Sequence, residues 1–241
     1  MPIQEHVVSR RKVARALGIT ILALLLLDIA VNVLRAVTGR GHIFGIVPMF
    51  DLAEEMNIPT LFSTLLLVAT AVLLHQIHVA NKSLPHAASR HWAVLSFIFL
   101  YLAIDEFTEL HEKLSRPMQK LTGILPGSFE YWGWVIPYAV LVVIAAAYFL
   151  PFFLKLPRRF QLFFAASAAM YIGGAMGCEV LEGLYLTVTH KNPGTASADV
   201  PFVILVALEE LLEMSGAALF FCSLLEYLEG ISGEHVFRLK S

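Results

Sequence analysis

The chain has 241 residues, of which 58% are hydrophobic and 15% are charged, and its mean hydropathy is +0.72. This apolar share exceeds that of ordinary soluble domains and indicates a polytopic membrane protein. The formal net charge of -2 does not indicate a class of partner, and no basic stripe with interleaved aromatic residues suggests nucleic acid.

The apolar runs, taken in chain order, predict six membrane-spanning helices in a single domain. Each run is long enough to cross about 30 Å of hydrocarbon at about 1.5 Å per residue. We therefore expect an all-α fold, a polytopic integral-membrane helical bundle. The connection over residues 42–56 contains Pro48 and three acids, and it is predicted to form a short interfacial or re-entrant helix. The predicted spans are residues 16–36, 60–80, 92–114, 131–154, 161–189 and 200–228.

The distribution of basic residues predicts the orientation. Of the 17 lysines and arginines, eleven fall on the side that holds both termini and six fall on the other side. Because cytoplasmic loops carry the excess of Lys and Arg, we expect a multi-pass protein of the cell membrane with both termini in the cytoplasm. Tyr131, Trp132 and Trp134 at one span end, and Trp92 at another, are predicted to be interfacial anchors.

The third predicted span ends in a stretch rich in acids, which runs from Asp105 to Glu112 and also holds His111. On a continuous helix, Asp105, Glu109 and Glu112 would fall within about 60° of one another, with Glu106 beside them. Ionisable groups at membrane depth are costly, so they usually face a bundle interior and mark a functional site.

The same pattern recurs in the last two spans, as Glu179-Val-Leu-Glu182 and as Glu209-Glu-Leu-Leu-Glu213. With the predicted topology, the acid pairs of the three spans lie roughly 8 to 20 Å below the same membrane surface. We therefore expect these spans to be neighbours whose acids face one interior volume. Asp28 lies at a similar depth in the first span, where Asn32 one turn on favours a structural hydrogen bond.

No lysine or arginine of the predicted spans lies at the depth of these acids. Several carboxylates brought together in a low dielectric cannot all remain ionised without cations, so they bind metal or share protons. The pattern predicts two metal ions, with iron favoured and manganese or zinc as alternatives, since oxygen ligands alone do not select iron. The expected ligands are Asp105, Glu109, His111, Glu112, Glu179, Glu182, Glu209 and Glu213.

Carboxylates three or four residues apart on facing helices resemble the carboxylate-bridged di-iron proteins, in which Glu and Glu-x-x-His motifs project into a four-helix bundle. This chain departs from that pattern because it contains Glu-x-x-Glu and no Glu-x-x-His. Its Glu-x-x-Glu pairs also resemble those of iron permeases. In those permeases an arginine precedes the glutamates, whereas Cys178 and Leu208 stand at these positions here.

Three functions are compatible with these patterns. The first is an oxidoreductase whose di-metal site near the outer leaflet acts on a membrane lipid or another hydrophobic small molecule. The second is a divalent-cation transporter, although the inner half of the bundle offers few polar groups besides His75, Gln76 and His78. The third is a non-catalytic subunit of a membrane complex, whose acids are protonated. Tyr138, Tyr171 and Tyr185 are within reach of the acids, but packing is their default interpretation.

Overall fold

The computed structural model describes residues 6–7, 9–82, 89–122, 133–232 and 238–239. Tyr131 and Trp132, two of the predicted aromatic anchors, lie outside these ranges. Within them, every regular element is a helix except a two-residue antiparallel pair, His6–Val7 with Arg238–Leu239. The predicted all-helical architecture is therefore confirmed.

The helices follow the apolar runs of the sequence, with breaks that the runs do not reveal. In chain order the described helices are α1 (Arg10–Thr38), α2 (Ile46–Phe50), α3 (Ile58–Lys82), α4 (Ser89–Thr108), α5 (Leu110–Thr122), α6 (Val135–Phe153), α7 (Arg158–Ile172), a π-helical segment (Gly173–Cys178), α8 (Glu179–Thr189), α9 (Pro193–Ala196) and α10 (Val200–Ser232).

Five of these helices are long and apolar enough to cross a membrane. They are α1, α3, α4, α6 and the continuous helix Arg158–Thr189, which joins α7, the π-helical segment and α8. These five helices indicate a membrane protein. The sixth predicted span corresponds to α10, which has 33 residues but carries three glutamates near its centre. That α10 crosses the membrane stays a prediction.

Helix α10 contacts more of the other described elements than any other helix does, namely α1, α3, α7, α8 and the π-helical segment. Two glycines permit its closest approaches. A Cβ placed on Gly174 would lie 2.8 Å from the carbonyl oxygen of Glu209, and one on Gly216 would lie 2.8 Å from the amide nitrogen of Tyr171. Small residues at these crossings bring the backbones together, as is common in membrane helix pairs.

An aromatic cluster fills one end of the bundle, between α3, α4, α6, α7 and α10. Trp92 lies at its centre with only 1% of its surface exposed, and its ring packs edge-on against Phe152 and Phe164. The prediction that Trp92 is an interfacial anchor is therefore wrong. Its large apolar surface is buried against three other helices, where it contributes to the core.

The predicted span over residues 92–114 is interrupted at Glu109. Helix α4 ends at Thr108 and α5 begins at Leu110, because Glu109 adopts the left-handed conformation with a φ of 53°. The carboxylate of Asp105 accepts a hydrogen bond of 2.9 Å from the backbone N–H of His111 and so satisfies a free donor in the first turn of α5. Asp105, Glu109 and Glu112 consequently do not share one continuous helical face.

The connection between α1 and α3 contains the predicted short helix, α2. The buried carboxylate of Asp28 accepts hydrogen bonds from the backbone N–H of Leu52 at 3.0 Å and from the Asn32 side chain at 2.9 Å. Arg35 forms an ion pair with Asp51 in the same connection. Asp28 therefore has the structural role that its spacing to Asn32 indicated, and it fixes this connection to α1.

Candidate metal centre

A cavity of about 1850 Å³ lies between α4, α6, α7, α8 and α10. Most of its wall is apolar, but one end is lined by acids from four parts of the chain. The acids that line this end are Asp51, Glu54, Glu55, Asp105, Glu106, Glu112, Glu179, Glu182, Glu209, Glu210 and Glu213. Asp51 differs from the others in being paired with Arg35.

Within this acid-lined end, the carboxylates of Glu179, Glu182 and Glu209 form a compact group. One oxygen of each lies within 4.8 Å of the others. Glu179 and Glu182 occupy the first turn of α8, directly after the π-helical segment, and Glu209 projects from α10. The close approach at Gly174 holds the backbone of α10 against that segment and brings the three carboxylates together. Single π-helical turns in α-helices frequently occur at functional sites.

Glu182 is the most enclosed member of this group, with 9% of its surface exposed. Its Oε1 atom is buried and has no hydrogen-bond partner among the described residues. No lysine or arginine of the described chain forms an ion pair with Glu179, Glu182 or Glu209. A buried carboxylate without a partner is costly, so this oxygen requires either a proton or a cation.

A chain of hydrogen bonds lies beside the three carboxylates. The hydroxyl groups of Tyr101 and Tyr138 are 2.7 Å apart, and Tyr138 donates a hydrogen bond of 3.1 Å to Asp105. Asp105 is buried, and its second carboxylate oxygen lies 3.2 Å from Nδ1 of His111. The break at Glu109 lies between these two residues, and its left-handed conformation accompanies the contact of His111 with Asp105. A histidine held by a carboxylate has a fixed ring orientation and tautomer.

Trp134 connects this chain to the three-carboxylate group. Its indole ring lies 4.6 Å from the ring of His111, and its Nε1–H donates a hydrogen bond of 3.4 Å to Oε1 of Glu179. Only 4% of its surface is exposed, so the prediction that Trp134 is an interfacial anchor is wrong. A tryptophan N–H usually finds an acceptor when it is buried, and here that acceptor is a carboxylate of the candidate centre.

Several acids that the sequence did not single out as ligands also line the cavity, namely Glu55, Glu106 and Glu210. Glu210 and Glu213 interact electrostatically with Glu106, which comes from α4. Glu55 lines the cavity although its side chain is exposed. Spacing along one helix could not reveal Glu55, because it lies in the connection that Asp28 fixes to α1.

The structure distributes the eight predicted ligands unevenly. Glu179, Glu182 and Glu209 form the compact group, while Asp105 and His111 pair with each other nearby. Glu112 and Glu213 line the same cavity, whereas Glu109 is not among the lining residues. Of the three tyrosines, Tyr138 and Tyr171 line the cavity, but Tyr185 donates a hydrogen bond of 3.0 Å to Asp199 instead.

The donor set consists of carboxylate oxygens with a single imidazole beside them. Hard oxygen ligands suit magnesium, calcium and manganese, and carboxylates combined with imidazole also suit iron and zinc. The burial of the group and the hydrogen bond from Trp134 resemble the support that surrounding residues give to metal ligands. The three-carboxylate group could thus hold a metal ion.

Comparison with known proteins identifies the family of the chain. Residues 15–228 match the family model described as Domain of unknown function (DUF8692), and the chain therefore belongs to that family. Neither the curated proteins nor the solved structures contain a match to the chain.

Proposed function

We propose that this member of the DUF8692 family is an integral-membrane metalloprotein that carries out oxidation and reduction of a hydrophobic substrate. The observation that carries the proposal is the group formed by Glu179, Glu182 and Glu209, whose oxygens lie within 4.8 Å of one another. The unpartnered Oε1 of Glu182 supports it, because a cation would satisfy this buried atom.

We further propose that the site holds two metal ions, with iron favoured and manganese or zinc as alternatives. Glu179, Glu182 and Glu209 would hold the first ion. The acids that surround them would hold the second, and these are Asp105, Glu112 and Glu213 together with His111, assisted by Glu106 and Glu210. Four carboxylates balance the charge of two divalent ions, and without such ions the negative charge would have to be removed by protonation.

The residues around the centre would orient its ligands and hold protons. Asp105 positions the His111 ring, and Tyr138 and Tyr101 extend this hydrogen-bonded chain along the cavity wall. A redox-active metal would supply the electron transfer that these side chains cannot supply themselves. The apolar remainder of the cavity would exclude water and accept a substrate from the membrane.

A divalent-cation transporter is the alternative that the Glu-x-x-Glu pairs raise. A transport path needs polar groups at successive depths, because ions are not stable in hydrocarbon. Beyond the acid-lined end, the described cavity wall is mostly apolar and uncharged as far as Arg90. This composition favours a site that ends within the membrane over a path across it. The other alternative, a non-catalytic subunit with protonated acids, would contain no metal, so metal analysis distinguishes it from both the oxidoreductase and the transporter.

The test of the proposal is the metal content of protein purified in mild detergent without chelator. We expect at least about one metal ion per chain in the wild type, approaching two when fully loaded, and a clear loss in Glu179→Gln and Glu209→Gln. Glu229→Gln is the matched control, because Glu229 lies on the same helix as Glu209 but outside the cavity. Metal-free wild type, or equal metal in all four proteins, would refute the centre.

We also propose the orientation in which both termini are cytoplasmic, in the cell membrane. It is supported by the eleven basic residues on the terminal side against six on the other. Tags at each terminus should be protected from protease in sealed cells and become accessible after permeabilisation. A tag that is cleaved in intact cells would contradict this orientation.

A further inference from the structure

The cavity extends far beyond the acids, along the length of α4. Arg90 and Asp105 both line it, and they stand 15 residues apart, which corresponds to about 22 Å at about 1.5 Å per residue. This distance is most of the roughly 30 Å thickness of a hydrocarbon core. The cavity is therefore long enough for an extended hydrocarbon chain.

The walls between these two ends are mostly apolar, with Ser167 and Tyr148 among the few polar side chains. Helix α6 contributes Leu141, Ala145 and Phe149, and α7 contributes Phe164 and Ala168. No charged residue of the described α4, α6 or α7 lines the cavity between Arg90 and Asp105. An apolar wall of this length suits hydrocarbon rather than a polar metabolite, because polar groups there would lose their hydrogen bonds.

Helix α6 closes one side of the cavity without packing extensively on any other described helix. It is joined to α4 near one end by the 2.7 Å hydrogen bond between Tyr138 and Tyr101. Near its other end, the ring of Phe152 stacks on His91 with 4.9 Å between centroids. Between these contacts, residues of both helices line the cavity.

The acid-lined end is predominantly negative, since its acids far outnumber the single lining lysine, Lys113, whereas the other end is positive. Arg90 is the charged lining residue at the end away from the acids, and Lys155 stands in the turn between Phe153 and Leu156, which both line that end. An anionic headgroup would be attracted there and repelled from the acid-lined end. The charges of the cavity therefore favour one orientation of a bound amphiphile, with its anionic headgroup at the Arg90 end.

We propose that the cavity binds a long-chain lipid with an anionic headgroup, held with its headgroup beside Arg90 and one hydrocarbon chain extended toward Glu179, Glu182 and Glu209. This inference deepens the proposed function and rests on it, since the same cavity would hold the substrate. It presents the hydrocarbon chain, rather than the headgroup, to the candidate metal centre.

The first experiment measures lipid binding to detergent-purified, full-length protein after treatment with a chelator. The probes are radiolabelled palmitate, dipalmitoyl phosphatidylglycerol and the uncharged analogue hexadecanol. We expect saturable binding of one or both anionic lipids, which identifies a free fatty acid or a phospholipid as the source of the anion. Hexadecanol should bind at least about tenfold more weakly, because it lacks the charge that Arg90 recognises.

Two pairs of variants locate the site. Ala145→Trp fills the cavity and should weaken binding by at least about tenfold, whereas Ala147→Trp, on the same helix but outside the lining, should not. Arg90→Gln should weaken binding of the anionic lipids by roughly tenfold, with Arg158→Gln as the control at the same end of the bundle. Equal binding within either pair would overturn the proposal.

The second experiment determines the direction of the bound chain. Palmitate brominated at its terminal carbons should quench the fluorescence of Trp134, which lines the acid end, and this quenching should be absent in Trp134→Phe. Palmitate brominated next to the carboxylate should quench Trp134 much less. If the part of the quenching that is lost in Trp134→Phe is stronger with the second probe than with the first, the headgroup lies at the acids and the orientation is refuted.

These outcomes separate the inference from the proposed function. Lipid binding is measured on chelator-treated protein, whereas the metal centre is tested by metal content. Lipid binding without any metal would refute the centre and leave the binding site intact. Metal without specific lipid binding would refute this inference alone.

Discussion

The indole N–H of Trp134 donates a hydrogen bond of 3.4 Å to Oε1 of Glu179 and thereby joins α6 to the candidate metal centre. We expect Trp134→Phe to keep the aromatic packing but to lose this donor, so that Glu179 is no longer oriented. Loss of such a supporting hydrogen bond typically lowers metal affinity by about 10- to 100-fold. The change in metal affinity is measured by titrating the protein with ferrous iron or manganese after a chelator has removed its metal.

Trp92→Phe is the control for this variant. Trp92 is buried in the aromatic cluster of α3, α4, α6, α7 and α10 and does not line the cavity. Its substitution should lower the melting temperature, because a well-packed side chain becomes smaller, while metal affinity stays unchanged. If Trp92→Phe loses as much metal affinity as Trp134→Phe, then Trp134 affects metal binding only through the stability of the fold.

Asp199 provides a prediction of pH dependence outside the membrane spans. Its carboxylate lies 2.5 Å from the Nζ of Lys191 and accepts a hydrogen bond of 3.0 Å from Tyr185. Hydrogen bonding to Lys191, and then to Tyr185, lowers the pKa of Asp199 below its ordinary value of 3.8. The stabilisation is therefore present above pH 3.8 and is lost as the pH falls through the lowered folded-state pKa.

Asp199→Asn should accordingly lower the melting temperature near neutral pH, and the difference from wild type should shrink as the solution becomes strongly acidic. This difference in melting temperature is measured by thermal unfolding of both proteins in detergent, from neutral to strongly acidic pH. Because the pair is partly exposed to solvent, the effect at neutral pH should be small and should decrease further in high salt. A difference that is independent of pH would show that the ion pair does not stabilise the fold.

The sequence was informative about the acids because burial in hydrocarbon restricts where they can lie. Carboxylates on three apolar helices had to face the interior, and the structure places Asp105, Glu182 and Glu209 along one cavity. The same reasoning favoured a structural hydrogen bond between Asp28 and Asn32, which the structure shows. Each of these inferences needed only helical periodicity and the cost of burying charge.

Features that depend on contacts between distant parts of the chain could not be predicted. The break at Glu109 arises where the carboxylate of Asp105 accepts the His111 N–H, and periodicity alone predicts a continuous helix there. The position of Trp134 at the end of a predicted span indicates an interfacial anchor, and its contact with Glu179, 45 residues away in sequence, has no signal in the local pattern. The π-helical segment over Gly173–Cys178 likewise gives no signal in the hydropathy pattern.

Asp28 should keep the connection between α1 and α3 in a single ordered conformation. In Asp28→Leu the N–H of Leu52 loses its acceptor in a buried position, at a cost of about 1–3 kcal/mol. We expect lower stability and faster hydrogen exchange over residues 51–55. Asn32→Ala removes the other hydrogen bond to Asp28 but leaves the Leu52 contact, so its effect on exchange should be much smaller. Unchanged exchange in Asp28→Leu would contradict this role.

Gly174 sets the distance between the π-helical segment and α10, on which the three-carboxylate group depends. In Gly174→Ala the new methyl group would lie 2.8 Å from the Glu209 carbonyl oxygen and 2.9 Å from Cγ of Glu213, so the helices must separate. Overpacking of this kind costs about 1–3 kcal/mol, and it should move Glu209 away from Glu179 and Glu182.

We therefore expect Gly174→Ala to lower both the melting temperature and the metal content, although it changes no carboxylate. Gly173→Ala and Gly177→Ala are matched controls, because a Cβ at either position meets no atom within 4 Å. Both should retain the metal and fold at least as stably as the wild type, since alanine is favoured over glycine in helices. If Gly174→Ala is destabilised but keeps its full metal content, the metal does not depend on this crossing, and the ligand set centred on Glu209 must be abandoned.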